Sequence, residues 1–313
     1  MNPSPAPVLV VGEALIDAVI RPGAAVSEHV GGSPANVAFG LGALDHDVRL
    51  ATWIGDDARG RRIADRCAAA GVTLTEGSTA AAQTSVAQAR IDEQGHASYE
   101  FDLTWEVPHL ADLAQIGHVH TGSIAATIEP GGSDVLAVVG QARPTATVSY
   151  DPNMRPTLMG SPDQVVERVE ALVALADVVK ASDEDLAWLY PGQTLQQVLA
   201  AWERFGPGVV VVTRGGEGVR YAVRTASAAA VDLPARPVTV ADTVGAGDSF
   251  MAGLISGLLD AGFLGGPEAR ARLHGASTDA LRPAIERALA TSSTTVTRVG
   301  AYAPTRAELE LGD

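Results

Sequence analysis

Short apolar runs alternate along this chain with longer stretches of helical pattern, and this alternation is the strongest constraint on its fold. The helical stretches lie near 34–44, 57–70, 162–176 and 194–205. Parallel strands cannot be joined by a tight turn and need a crossover connection, so the alternation predicts an α/β fold with a doubly wound, mainly parallel sheet flanked by helices. The apolar runs are PVLVVG (7–12), VRLATWIG (48–55), HVHTGS (118–123), TVSYDP (147–152), DVVKAS (177–182) and GVVVVTRG (208–215).

One segment departs from this alternation and predicts a β-hairpin. SVAQARIDEQGHASYEFDL, 85–103, alternates partly on both sides of the turn-forming residues 92–95. LIDAVIRP, 15–22, has the composition of a further strand. We expect these segments to form a small sheet that stands off the main domain.

Charge and composition exclude several classes of function. With 37 acidic and 22 basic residues the formal net charge is -15, so the field of the protein repels nucleic acid and anionic membranes. Because no apolar run is long enough to cross a bilayer and the first residues show no signal-peptide pattern, we expect a cytoplasmic protein. Lys180 is the only lysine. We therefore expect any phosphate site to rely on arginine, backbone amides, helix ends or a metal ion.

The stretch DTVGAGDSF, 242–250, predicts a glycine turn that leads into a helix. The amides of Gly245, Ala246 and Gly247 can point into one concavity, and a helix beginning near Ser249 adds the positive end of its dipole. Asp248 then has two interpretations. It is either an N-cap that accepts amide hydrogen bonds, or a base that takes a proton from a substrate hydroxyl beside an anion-binding turn. The turn alone leaves both open.

Two motifs together resemble the signatures of the ribokinase, or phosphofructokinase-B, family of carbohydrate kinases. They are GGSPANVAFGLGALDHDVRLATWIGDDARG, 31–60, and DTVGAGDSF. The resemblance extends over essentially the whole chain and implies a single ribokinase-like kinase domain over 1–313, with an inserted β-sheet lid formed by about 14–30 and 84–106. It also implies that Asp248 is the catalytic base, with Gly245, Ala246 and Gly247 as its anion hole.

The sugar-binding residues follow from the same resemblance. By themselves, Gly31 and Gly32 permit close approach of the backbone and Asn36 offers a donor and an acceptor, which fits a tight turn and helix start equally well. The resemblance assigns the sugar site to Asp17, Gly31, Gly32, Asn36 and one lid aromatic, Phe101 or Tyr99.

Four further segments carry nucleotide and metal residues: 151–156, 179–186, 211–219 and 295–301. VVTRGGEGV, 211–219, resembles the strand and turn that contact ATP, and VKASDEDL, 179–186, departs from the Asn-x-x-Glu pair that organises magnesium in many relatives. That departure leaves open whether Asp185 or Glu184 serves the metal. The implied nucleotide residues are Ser182, Thr213, Gly215, Gly218 and Arg155; the magnesium network is Asp185, Asp151 and Asn153; and a potassium-like ion is assigned to Asp242, Val244 and Gly300.

The resemblance implies transfer of the γ-phosphate of ATP, with Mg²⁺, to a primary hydroxyl of a sugar. GEALID, GGSPANVA and DPNMR look most like fructokinase, which favours D-fructose. The alternatives are 2-keto-3-deoxygluconate, ribose or a nucleoside as acceptor, and a sugar-binding sensor that no longer catalyses. Neither the G-x-G-x-x-G of dinucleotide oxidoreductases nor the P-loop is present. Relatives often pair through their lids, so the resemblance also implies a homodimer.

Overall fold

Parallel strands at the centre of the protein carry the candidate site at their carboxyl ends. The computed structural model describes residues 7–92, 97–224 and 230–312. Their strands are β1 (Val8–Val11), β2 (Leu15–Ile20), β3 (Ser27–Gly31), β4 (Val48–Ala51), β5 (Val72–Leu74), β6 (Val86–Ile91), β7 (Ala97–Asp102), β8 (His118–Gly122), β9 (Thr147–Asp151), β10 (Val178–Ser182), β11 (Val209–Thr213), β12 (Val219–Val223) and β13 (Val231–Leu233). Their helices are α1 (Ser33–Ala43), α2 (Ala58–Ala69), α3 (Gly131–Ala142), α4 (Pro156–Met159), α5 (Pro162–Leu175), α6 (Asp183–Leu189), α7 (Leu195–Phe205), α8 (Ala246–Asp260), α9 (Pro267–His274) and α10 (Thr278–Thr295).

The central sheet has nine strands in the order β13-β12-β11-β10-β9-β8-β1-β4-β5. The strands from β11 to β5 in this order pair in parallel, and β12 and β13 pair antiparallel at one edge. Side chains alternate between two apolar cores: Val8 and Val10 of β1 join one, Leu9 and Val11 the other. Helices α1, α8 and α10 cover the first core and α3, α5 and α7 the second. The predicted doubly wound α/β fold is confirmed.

A second, four-stranded sheet has the order β3-β2-β6-β7. β2 pairs antiparallel with β3 and parallel with β6, and β6 and β7 pair antiparallel. The predicted hairpin and the predicted strand at 15–22 are therefore confirmed as parts of one small sheet. The turn predicted at 92–95 falls largely on residues 93–96, outside the described residues. The lid function of this sheet stays a prediction.

Helix α8 begins at Ala246, three residues before the predicted start near Ser249, so that expectation was wrong. Gly245 is the N-cap and has a φ of 74°, a left-handed conformation that glycine adopts readily. The low helix propensity of glycine favoured a loop over 245–247, whereas tertiary packing of α8 against α1 and α10 extends the helix into it. Within the described ranges, no helix is long and apolar enough to cross a membrane.

Candidate active site

Two open cavities meet at the glycine turn before α8. The first, which we call the small-sheet cavity, has a volume of about 750 Å³ and lies between the small sheet and the N-terminal ends of α1 and α8. The second, the α10 cavity, has a volume of about 530 Å³ and lies between the turn after β11 and helix α10. Thr243, Ala246 and Gly247 line both cavities. Two molecules, one in each cavity, can therefore meet at these residues.

Most of the predicted ligand-binding residues line one of the two cavities. Those of the small-sheet cavity are Asp17, Gly32, Asn36, Phe101, Asn153, Arg155, Val244, Gly245, Ala246, Gly247 and Asp248. Those of the α10 cavity are Thr213, Gly215, Gly218, Ala246 and Gly247. Arg155, which we grouped with the nucleotide residues, lies on the side of the predicted sugar residues.

Two side chains from α1 hold the buried carboxylate of Asp248. Ser33 donates from Oγ to Oδ1 at 2.7 Å, and Asn36 donates from Nδ2 to Oδ2 at 2.8 Å. Because Asp248 is the third residue of α8, its interpretation as an N-cap is excluded. Oδ1 also accepts from Asn153 Nδ2 at 3.4 Å, whereas Oδ2 keeps a further lone pair, which an alcohol in the small-sheet cavity can approach. Sequence analysis gave no role to Ser33, although it lies inside the quoted motif GGSPAN.

Asn153 and Arg155 extend this network along the cavity wall. Asn153 donates from Nδ2 to Ser33 Oγ at 2.6 Å, and Arg155 donates from Nη1 to Asn153 Oδ1 at 2.7 Å. One line of hydrogen bonds therefore runs from the Arg155 guanidinium to the Asp248 carboxylate. The Ala246 amide, predicted for the anion hole, donates to the Thr243 carbonyl at 3.2 Å. The amides of Gly247 and Asp248 lie in the first helical turn, where intrahelical geometry provides no acceptor.

Gly32 lines the small-sheet cavity, whereas Gly31 is not among the residues that line it. A Cβ on Gly31 would overlap the carboxylate of Asp17, and a Cβ on Gly32, whose φ is 102°, would overlap the backbone of Glu13. Gly31 therefore makes room for Asp17, which itself lines the cavity. The sequence predicted a close approach at these glycines, but to a ligand and not to neighbouring residues.

Glu13 is a cavity residue that sequence analysis missed. Its side chain lines the small-sheet cavity although the residue is only 7% exposed, and the Ala125 amide donates to its Oε2 at 3.1 Å. Burial raises the pKa of Glu13 to about 7, against the opposing effect of hydrogen bonds from the backbone and Ser123. Near neutral pH the carboxyl group therefore exists in both forms, and its protonated form can donate a hydrogen bond to a ligand. A glutamate beside a strand end gives no sequence signal of burial.

Replacing Glu13 by glutamine is expected to change how stability depends on pH. The pKa of Glu13 is about 7 in the folded protein and 4.5 ordinarily, so between these values folding takes up a proton and the free energy of unfolding falls as pH rises. The full effect is about 3 kcal/mol. As the pH rises from about 5 to about 8, the free energy of unfolding of Glu13→Gln should increase relative to that of wild type by up to this amount. Urea unfolding of both proteins measures the difference, and a difference that does not change with pH would contradict the assignment.

The α10 cavity has mostly apolar walls and a polar end at the glycine turn. Thr213, Gly215 and Gly218 line this cavity, as predicted for residues that contact a nucleotide. Its walls also include Val238, Val240, Leu289, Val296, Ser292 and Ser293. An apolar slot that opens onto helix-terminal amides suits a flat base whose phosphates reach the turn.

Ser182, Asp151 and Asp185 lie behind the cavity walls. Asp185 accepts from the Met154 amide at 2.8 Å and from the Ser182 amide at 2.9 Å, while Ser182 Oγ accepts from the Asp185 amide. In the described part of the chain, the walls of both cavities include none of these three, and no cluster of three or more His, Cys, Asp or Glu side chains could hold a metal ion. Glu184 lines a separate hollow. The magnesium network stays a prediction.

Asp242 fastens the loop before α8 to the loop after α10. Its Oδ1 accepts from the Val244 amide at 3.1 Å and its Oδ2 from the Gly300 amide at 2.8 Å. The Gly300 and Val244 amides together lower the pKa of Asp242. The three residues predicted to bind a monovalent cation are thus neighbours, and the cation site itself stays a prediction.

Comparisons with known proteins agree with the two motifs. A model of the pfkB family carbohydrate kinases matches residues 6–308. A fructokinase of Klebsiella pneumoniae is 34% identical over 258 residues, which are 80% of this chain and 83% of that protein. The structure of a fructokinase from Xylella fastidiosa with bound ATP has a TM-score of 0.82 at 26% identity and covers 97% of both chains. A fructokinase double mutant from Vibrio cholerae O395, with fructose, ADP and potassium ion, has a TM-score of 0.78 at 26% identity over 98% of both chains. This chain belongs to the pfkB family of carbohydrate kinases.

Proposed function

We propose that the protein is an ATP-dependent fructokinase, which transfers the γ-phosphate of ATP to a primary hydroxyl of D-fructose. The observation that carries this proposal is the turn shared by the two cavities: Ala246 and Gly247 line both, and Asp248 lines the small-sheet cavity. A nucleotide in the α10 cavity and an alcohol in the small-sheet cavity would meet beside a buried carboxylate. The relatives with bound ATP, ADP and fructose support this choice of substrates.

Asp248 acts as the base in this proposal. It takes the proton of the primary hydroxyl as the hydroxyl oxygen forms a bond to the γ-phosphorus. The bond from that phosphorus to the β,γ-bridging oxygen breaks, and its electron pair leaves with ADP. Ser33 and Asn36 fix the carboxylate in place, and the amides of Gly247 and Asp248 face the charge on the transferring group.

The sugar is bound in the small-sheet cavity by polar groups and one stacked pair of rings. Asp17, Asn36 and Glu13 offer acceptors and donors for adjacent hydroxyls. Tyr99 and Phe101 stack with centroids 6.2 Å apart and line the same cavity from the small sheet. We infer that this sheet closes over the sugar as a lid and excludes water, which would otherwise accept the phosphoryl group.

Mg²⁺ enters the site with ATP, as part of the substrate. Asn153 lines the cavity and is the predicted magnesium residue best placed to reach bound phosphate, whereas Asp151 and Asp185 would act from behind the wall. The potassium ion bound in the Vibrio cholerae structure supports a monovalent cation here, and the neighbours Asp242, Val244 and Gly300 are our candidate site for it. We also propose that the protein forms a homodimer through the small sheet, on which Tyr99 is 58% exposed. Light scattering measures the molar mass in solution and tests whether a dimer forms.

A steady-state kinetic screen with ATP and Mg²⁺ tests the proposed function. The acceptors are D-fructose, other ketoses and aldoses, 2-keto-3-deoxygluconate and nucleosides, each with and without potassium. We expect the highest kcat/KM with D-fructose. A higher kcat/KM with another acceptor would show that D-fructose is not the preferred substrate, while the proposed kinase reaction would stand. Sugar binding without turnover of any acceptor would contradict the kinase function and favour a sugar-binding sensor.

A further inference from the structure

The only lysine of the sequence lies buried behind the turn that joins the two cavities. Lys180 of β10 donates from Nζ to Asp151 Oδ2 at 2.8 Å, and the two side chains are 3% and 1% exposed. A Cβ placed on Gly247 would stand 3.0 Å from Lys180 Nζ. The ammonium group therefore packs against the back of Gly247, the residue whose front lines both cavities. From the sequence we expected a phosphate site to rely on arginine, backbone amides, helix ends or a metal ion, and gave Lys180 no role there.

Three carboxylates surround this ammonium group. Burial disfavours its charge, but Asp151, Asp185 and Asp248 together raise the pKa of Lys180 above its ordinary value. Oδ1 of Asp151 is buried and has no hydrogen-bond partner among the described residues. On the cavity side, the Arg155 guanidinium donates to Asn153 Oδ1, and Asn153 Nδ2 in turn donates to Asp248 Oδ1 at 3.4 Å.

The position of Lys180 has an electrostatic consequence for an anion at the turn. A phosphoryl group at Gly247 would approach Asp248 from the front and Asp151 and Asp185 from behind, and all three repel it. A fixed ammonium group in a buried setting is screened much less than a surface lysine, so its attraction acts at this distance. The first-turn amides of α8 add to the same positive potential.

We propose that Lys180 is a positioning residue for phosphoryl transfer: from behind Gly247, its charge offsets the repulsion of Asp151, Asp185 and Asp248 where the γ-phosphate passes between the cavities. This inference rests on the proposed kinase function. It gives the turn a buried cation that ligands do not touch, in addition to the Arg155 guanidinium on the cavity side. A side chain at position 247 would press on the ammonium group, because its Cβ would stand 3.0 Å from Lys180 Nζ.

Four proteins test this role: wild type, K180M, D151N and K180M/D151N. Methionine keeps the length of lysine and removes its charge, and the double variant removes both members of the buried pair. K180M leaves Asp151 buried without its partner and should lose stability, whereas the double variant should recover most of it. The decisive comparison is the double variant against D151N, because Asp151 is absent from both. We expect kcat of the double variant to be lower by about 10²-fold. Equal kcat values would overturn the proposal and leave Lys180 as a partner of Asp151 alone.

A binding measurement gives a second readout that needs no turnover. Calorimetry with Mg²⁺ and either ATP or ADP compares nucleotides that differ by the γ-phosphate. In the double variant, the affinity for ATP should fall more than the affinity for ADP, relative to D151N. Equal losses for both nucleotides would overturn the proposal even if wild type phosphorylates no sugar. The two failures can be told apart: a wild type that phosphorylates no acceptor in the screen contradicts the kinase function, whereas the calorimetric comparison tests Lys180 alone.

The chain offers a control pair in which Asp177, the residue just before β10, is paired with Arg270 of α9. Arg270 Nε donates to Asp177 Oδ1 at 2.7 Å, and the two side chains are 15% and 0% exposed. Arg270→Met removes the cation of a buried ion pair far from the turn, so it should lower the melting temperature and leave kcat unchanged. A loss of kcat in this control as large as that in K180M would show that any buried ion pair supports turnover, and would overturn the special role of Lys180.

Discussion

Replacing Asp248 by asparagine is expected to lower kcat for D-fructose by about 10³-fold. The amide cannot take a proton from the sugar hydroxyl, so transfer must proceed without a base. The surrounding hydrogen bonds can be kept, because the amide oxygen can accept from Asn36 while the amide nitrogen donates to Ser33 Oγ, whose hydroxyl rotates. Sugar affinity should therefore change little.

Steady-state kinetics and calorimetric sugar binding measure these two effects separately. Ser33→Ala is the companion variant, since it removes one hydrogen bond to Asp248 and keeps the base. It should lower kcat far less than Asp248→Asn. Near-normal turnover of Asp248→Asn with any acceptor would contradict the assignment of Asp248 as the base.

Replacing Gly245 by alanine is expected to damage both stability and phosphoryl transfer. Its φ of 74° is left-handed, and a Cβ would stand 2.6 Å from the Cβ of Ala301. The conformational strain costs about 1 kcal/mol, and the overlap costs about 2 kcal/mol more unless the loop of Ala301 moves. Movement of that loop displaces the amides of the turn, so we expect kcat/KM for ATP to fall by about 10²-fold.

Gly71→Ala is a matched control for the strain alone. Gly71 follows α2 with a φ of 70°, and no described atom lies within 4 Å of the position that its Cβ would take. The variant should lose about 1 kcal/mol of stability and keep its kcat/KM for ATP. Equal activity of Gly245→Ala and Gly71→Ala would contradict the role of the turn in holding the γ-phosphate.

The sequence also predicted which segments form the site, but not the partners of each side chain. Thr213, Gly215 and Gly218 were expected around one ligand and do line the α10 cavity. Ser182 was expected at the nucleotide and Asp185 in the magnesium network, yet their polar atoms bond each other and the loop after β9. A motif fixes the position of a residue in the chain, whereas the direction of its side chain depends on the local backbone and on packing.

The sequence by itself determined the alternation of strands and helices, the small sheet and the glycine turn, because strand periodicity, helix periodicity and turn preferences are properties of short segments. The tertiary structure decided which distant groups meet. Ser33 and Asp248 are 215 residues apart and bond directly, and Lys180 of strand β10 packs against Gly247 of helix α8. Contacts of this kind, and the burial that shifts the pKa of Glu13, arise only when the elements pack, since no short segment contains both partners or the surroundings that exclude water.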